Sequence, residues 1–232
     1  MTNAMNILIA TEQKLFRRGL TSLIKNISNS KLCSTDTKPI FNVVADVSSP
    51  CELMNKLENN HVNILLLSYS LKVTEDSHNP ISSLDGYNLI KWLRKRFPNL
   101  KIVVISSYRH ASMIRALLEI GISGYVSMDI NEKTLKEMLF AVKQNEIYVE
   151  NAIMRSLFLH QQNNPSELSL RESEILRLLC QGLSLTQISN KMNLSIKTVS
   201  AHKIRAMNKL DVDTDSKLFI YLSRTKLFEM EF

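Results

Sequence analysis

Apolar runs in this chain of 232 residues stay at a few residues, 64–67 being one, so nothing approaches the ~18 that a membrane span needs. Cysteine is scarce. Cys33, Cys51 and Cys180 are too few and too far apart for a disulfide framework or a CxxC metal knuckle. Five glycines leave no room for a glycine-rich phosphate loop, and neither HExxH nor GxSxG occurs. The five histidines, at 61, 78, 110, 160 and 202, show no metal-ligand spacing. These absences speak against catalysis and against a bound cofactor or metal. The apolar stretch 7–10 also precedes the first basic residue, Lys14, which reverses the order of a secretory signal. The expectation is a soluble, reduced, cytoplasmic protein with no membrane partner.

One sign of charge is missing locally. Lys and Arg total 29 against 22 Asp and Glu, for a net charge of +7 and a pI near 9.3. From 175 to 210 the chain carries Arg177, Lys191, Lys197, Lys203, Arg205 and Lys209 and no acid at all. Charge concentrated in this way is the electrostatic footprint of a nucleic-acid partner.

With 44% hydrophobic and 22% charged residues, the composition is that of an ordinary globular protein, and the length suits two domains. Residues 1–150 alternate strand-like runs, at 6–10, 41–47, 62–68, 101–106 and 124–126, with segments of helical spacing. The third and fourth runs are apolar almost throughout, as strands covered by helices on both faces must be. The pattern predicts a doubly wound α/β domain with a parallel five-stranded sheet. A polar stretch with a proline at 161–166 marks a linker, placed at 151–167. Residues 168–232 show helical periods only.

In that C-terminal segment Ser169 and Glu172 have the spacing of a capping box, and Gly182 closes the helix they open. A short helix over 186–192 and a tight Asn193-Leu194 turn lead to a longer helix over 196–210, capped by Ser195. Two helices joined in this way form a helix-turn-helix unit. At ~100° per residue, Val199, Ala206 and Leu210 fall on one side of the longer helix. Lys197, Ser200, Ala201, Ile204 and Asn208 fall on the other, with Arg205 at its edge. A small, polar and basic face with no acid can approach phosphates and base edges in a major groove.

The run from Leu168 to Leu176, with Gly182, Ile188-Ser189, Leu194 to Val199, His202 and Lys209-Leu210, resembles the LuxR/NarL/FixJ DNA-binding domain over about 65 residues. The resemblance implies double-stranded DNA as partner and the helix after Ser195 as recognition helix. Positions Ser200, Ala201 and Ile204 would then read bases. Lys197, Thr198, His202 and Lys209 would lie near the backbone, with Lys203 and Arg205 completing the DNA-binding set. The helix around 216–225, with Leu218, Phe219 and Leu222, would pair two such domains.

Residues 1–150 resemble a receiver domain of the Rcs-phosphorelay type, through 6–10, 85–91, Phe97-Pro98 and Ile105-Ser106. A working receiver carries an Asp at the end of its third strand, an acidic pair after the first, a hydroxyl after the fourth and a Lys after the fifth. Here Ser68 takes the phosphoacceptor position, Thr11 and Glu12 the acidic pair, and Met128 the lysine position; Ser106 alone keeps the pattern. Asp76 and Asp85 fall in the loop after the third strand. The resemblance therefore implies a degenerate receiver pocket and a DNA-binding transcription regulator independent of aspartyl phosphorylation, acting as a homodimer or as a heterodimer with an Rcs-type regulator. Two alternatives stand beside it: an accessory regulator working chiefly through that heterodimer, and an α/β domain that senses a small ligand.

Overall fold

The computed structural model describes residues 4–29, 40–71, 84–108, 110–159 and 168–225. The chain divides into two compact units, one of 1–106 with 117–150 and one of 107–116 with 151–232. Among the described residues no helix is long and apolar enough to cross a membrane.

The first unit is built on a parallel sheet in the order β2-β1-β3-β4-β5-β6. Its strands are β1 (Met5–Ala10), β2 (Phe41–Val47), β3 (Ile64–Ser68), β4 (Lys101–Ile105), β5 (Gly124–Val126) and β6 (Tyr148–Val149). Between them run α1 (Lys14–Asn29), α2 (Pro50–Asn59), α3 (Gly86–Arg96), α4 (Ala111–Glu119), whose first six residues group with the second unit, and α5 (Glu132–Lys143). Local chemistry sets the helix starts. Ser49 accepts the Glu52 amide ahead of Pro50, and Asn131 accepts the Thr134 amide. On the α1/α5 side of the sheet, Ile7, Ile9, Leu66, Val103 and Ile105 pack with Leu20, Ile24, Leu135, Met138 and Val142. Ile64 to Leu67 are all fully buried, which matches a strand covered on both faces.

The sheet has one strand more than the five expected. β6 pairs with β5 through Gly124↔Tyr148 and Tyr125↔Val149. A two-residue strand leaves no readable alternation. Gly124 permits the pairing, since a Cβ there would stand 3.0 Å from the Tyr148 carbonyl oxygen.

The second unit contains α6 (Asn151–Leu159), α7 (Leu170–Cys180), α8 (Leu185–Met192), α9 (Ile196–Lys209) and α10 (Asp215–Thr225). α6 occupies much of the segment read as linker, because Ile153 and Leu157 are both buried one helical turn apart. The polar stretch 161–166 lies outside the described residues. Within this unit Ser112 donates to the Leu168 carbonyl at 2.7 Å and Arg115 to the Leu157 carbonyl at 3.2 Å. Ile175, Leu178, Ile188, Met192 and Val199 form the small core under α7, α8 and α9.

Candidate nucleic-acid interface

The starts and ends of α7, α8 and α9 set the geometry of α9. α7 opens on the expected capping box: Ser169 Oγ accepts the Glu172 amide at 3.3 Å, and Glu172 Oε2 accepts the Ser169 amide at 2.8 Å. A second box, Ser184 with Gln187, opens α8. α7 ends in a Schellman motif, with Gly182 at φ 79°, its amide on the Leu179 carbonyl and the Leu183 amide on that of Leu178. Asn193 (φ 52°) and Asp211 (φ 55°) close α8 and α9 with the same bonding pattern. Asn193 and Leu194 thus make the tight turn, and Ser195 caps α9 by accepting the Thr198 amide at 3.1 Å.

The wheel holds on α9. Val199, Ala206 and Met207 are buried, Leu210 is half-buried, and Lys197, Ala201, Ile204, Arg205 and Asn208 are exposed. Thr198 and Ser200 are half-buried beside them. Ile204 is 52% exposed, a large side chain with no packing reason to be there. His202 is half-buried. Its Nδ1 is enclosed and, among the described residues, has no hydrogen-bond partner, while burial and then the neighbouring Arg205 pull its pKa below the usual histidine range. That is the environment of a packed neutral imidazole.

The six cations of the acid-free window do not stand alike. Arg177 is buried and paired with Glu174 at 3.0 Å. Lys203 Nζ lies 2.7 and 2.8 Å from the two carboxylate oxygens of Asp215, at the start of α10. Lys209 Nζ lies 2.8 Å from Oε2 of Glu172, a side chain only 4% exposed. Burial would raise the Glu172 carboxyl, but hydrogen bonds from Lys209 and from Ser169 outweigh it and hold it below the usual carboxylate range. Lys203 and Lys209, expected at the phosphate backbone, are therefore engaged by carboxylates just outside the window. Lys197 and Arg205 remain the exposed cations on the outer face of α9.

At the C-terminal edge of the sheet, Ser68 is the last, half-buried residue of β3 and pairs with Ile105. Thr11 and Ser106 are buried, and Glu12 is half-buried. Met128 packs against the sheet core rather than offering an ammonium. Asp85 is buried ahead of α3, and Asp76 lies outside the described residues. Arg17, a residue that sequence reasoning missed, serves the loop after β1. Its Nη1 donates to the Thr11 carbonyl and, at 2.9 Å, to that of Glu12, while Nε bonds Asp46 at 2.8 Å. Mg²⁺ favours octahedral oxygen ligands that include one or two carboxylates. Of the positions that would hold it here, only Glu12 carries one, and among the described residues no three His, Cys, Asp or Glu side chains gather to hold a metal. The residues present do not fit a receiver's divalent ion.

Residues 7–140 match the response regulator receiver domain family, and residues 166–222 match the luxR family of bacterial regulatory proteins. The transcriptional regulatory protein RcsB of Salmonella typhi is 30% identical over 97% of both chains, and that of Escherichia coli K12 is 29% identical over the same share. The chain belongs to the RcsB family of response regulators. RcsB from Salmonella enterica serovar Typhimurium bound to promoter rprA, in the presence of the phosphomimetic BeF3-, superimposes with a TM-score of 0.76 at 28% identity, covering 94% of this chain and 98% of that one. A structure of two RcsB dimers bound to two parallel DNAs gives a TM-score of 0.60 at 29% identity, covering 95% and 98%. These relatives share both the receiver-like sheet and the helix-turn-helix of the present chain.

Proposed function

We propose that this chain is a sequence-specific DNA-binding transcription regulator whose activity does not depend on aspartyl phosphorylation. The observation that carries the first half is the outer face of α9, where Lys197, Ala201, Ile204, Arg205 and Asn208 are exposed with no acid among them. Lys197 and Arg205 supply positive charge for the phosphate backbone. Ala201 and Ile204 offer only apolar contact, for which a thymine methyl in the major groove is the matching chemistry. RcsB relatives in structures bound to DNA support the assignment. The second half rests on Ser68, Thr11 and Met128: a hydroxyl in place of the carboxylate that would accept phosphate, a depleted metal site, and no lysine.

Pairing fits the same picture. Of the residues expected to pair, Leu218 and Leu222 are buried within the unit; α10 exposes Phe219 and Ile220 at 41% and 51%, an apolar edge suited to a second copy or to a related regulator. Site selection from random duplexes tests the reading of α9. The wild-type chain should enrich one motif, and Ile204→Ala should relax a single base pair per half-site, by on the order of 1 kcal/mol, without moving the melting temperature. An unchanged motif rejects Ile204 as a base-reading residue.

A further inference from the structure

A second acid-free window, slightly shorter but with one more cation, begins in the first unit. Between Gly86 and Leu118 the chain carries Lys91, Arg94, Lys95, Arg96, Lys101, Arg109 and Arg115 and not one Asp or Glu. Three of these have structural work. Arg94 Nη1 binds the carbonyls of Pro98 and Leu100 at 3.1 and 2.8 Å, which ties down the chain leaving α3. Lys101 Nζ donates to the Val142 and Lys143 carbonyls at 2.8 and 3.1 Å, closing the end of α5. Arg115 holds the Leu157 carbonyl. Arg109 lies outside the described residues.

Lys91, Lys95 and Arg96 remain, all exposed and none ion-paired among the described residues. α3 buries Gly86, Leu89, Ile90 and Leu93, and at ~100° per residue Lys91 and Lys95 project from the side opposite that stripe. Beside them Trp92 stands edge-on to Phe97, ring centres 6.4 Å apart, and the Arg96 guanidinium lies 5.7 Å from the Phe97 ring centre. Cations in a last helical turn compensate the helix dipole. That accounts for Lys95 and Arg96, but Lys91 sits a turn too early to benefit.

We propose that this face of α3 holds the phosphate backbone of duplex DNA flanking the site read by α9; the proposal rests on that reading of α9. Two observations favour duplex DNA over an acidic protein. The face exposes no large apolar side chain that could anchor a peptide, since Trp92 is half-buried against Phe97. Lysine is depleted in protein–protein interfaces, whereas lysine and arginine without base-reading groups are what non-specific phosphate contact uses. Covalent linkage to a DNA-binding unit also keeps duplex at high local concentration around every other surface of the chain.

The test is a salt titration of the full chain on two duplexes. One ends at the selected site, and the other extends about two helical turns beyond it on each side. The longer duplex should bind more tightly, with a slope of log K against log salt steeper by about 2–3 per chain. K91Q/K95Q/R96Q should lose that gain while keeping its affinity for the short duplex. K91Q/K95Q, which leaves the Arg96–Phe97 contact intact, should lose about two thirds of it. Equal binding of both duplexes by the wild type overturns the proposal. So does a flank-dependent gain that survives in the triple variant, including the case where that variant instead loses binding to polyglutamate. Failure to select any site overturns the α9 reading and with it the flanking placement, whereas equal binding of the two duplexes around a selected site overturns the placement alone.

Discussion

Lys209 and Glu172 stand 37 positions apart in sequence and 2.8 Å apart in space. The pair joins the end of α9 to the first turn of α7, so Lys209 fixes α9 in place. Lys209→Met and Glu172→Gln should each lower the melting temperature, and a double-mutant cycle should show coupling of about 1–2 kcal/mol. Because the Glu172 carboxyl titrates below its usual value when folded, this stability is complete above about pH 4.5 and is lost as pH falls through the depressed folded value. Equal melting temperatures for both variants and the parent would return Lys209 to the phosphate-contact set. The outward placement of Ile204 was legible in the sequence, because helical period alone separates it from Val199 and Ala206. The partners of Lys203 and Lys209 were not: no local pattern links Asp215 or Glu172 to α9, and the acid-free window ended just short of both.

For α9 as an element, engaging two of its cations changes the expected electrostatics. Lys197 and Arg205 alone imply a salt slope of about −2 per chain on a minimal duplex, against about −4 if Lys203 and Lys209 also reached phosphates. A titration on the short site distinguishes the two. The turn geometry makes a second prediction. Gly182 holds φ 79° with nothing within 4 Å of an added Cβ, so Gly182→Ala meets no clash and costs only the left-handed backbone, about 1–2 kcal/mol by urea denaturation. Capping residues and turn formers made α7, α8 and α9 readable to within a residue or two. α6 was hidden by the polar stretch that follows it, and β6 by its length: two residues carry no period, and what positions them is the space left by Gly124.

At the scale of the whole molecule, acid should weaken the second unit before its carboxylates titrate. Burial pushes the His110 imidazole, just ahead of α4, down to about 4, and His202 shifts in the same direction. Between about 6.5 and about 4 the unfolded chain binds a proton that the folded one refuses, so stability rises with pH across that window. Going from about pH 7 to about pH 5 should cost about 2 kcal/mol through His110, and His110→Gln should flatten the profile. The two-part organisation was legible from the change of hydrophobic period, while the grouping of 107–116 with the C-terminal unit has no signature in sequence and arises from tertiary packing alone.

The central claim, DNA binding without an aspartyl switch, is tested most directly by one paired measurement. The full chain is titrated with its selected duplex before and after incubation with a small-molecule phosphoryl donor and Mg²⁺, with intact mass recorded on the same samples. Superimposable isotherms and an unchanged mass are expected. A donor-dependent gain in affinity, accompanied by the mass of one base-labile phosphoryl group that disappears when a single Asp is replaced, would contradict that claim.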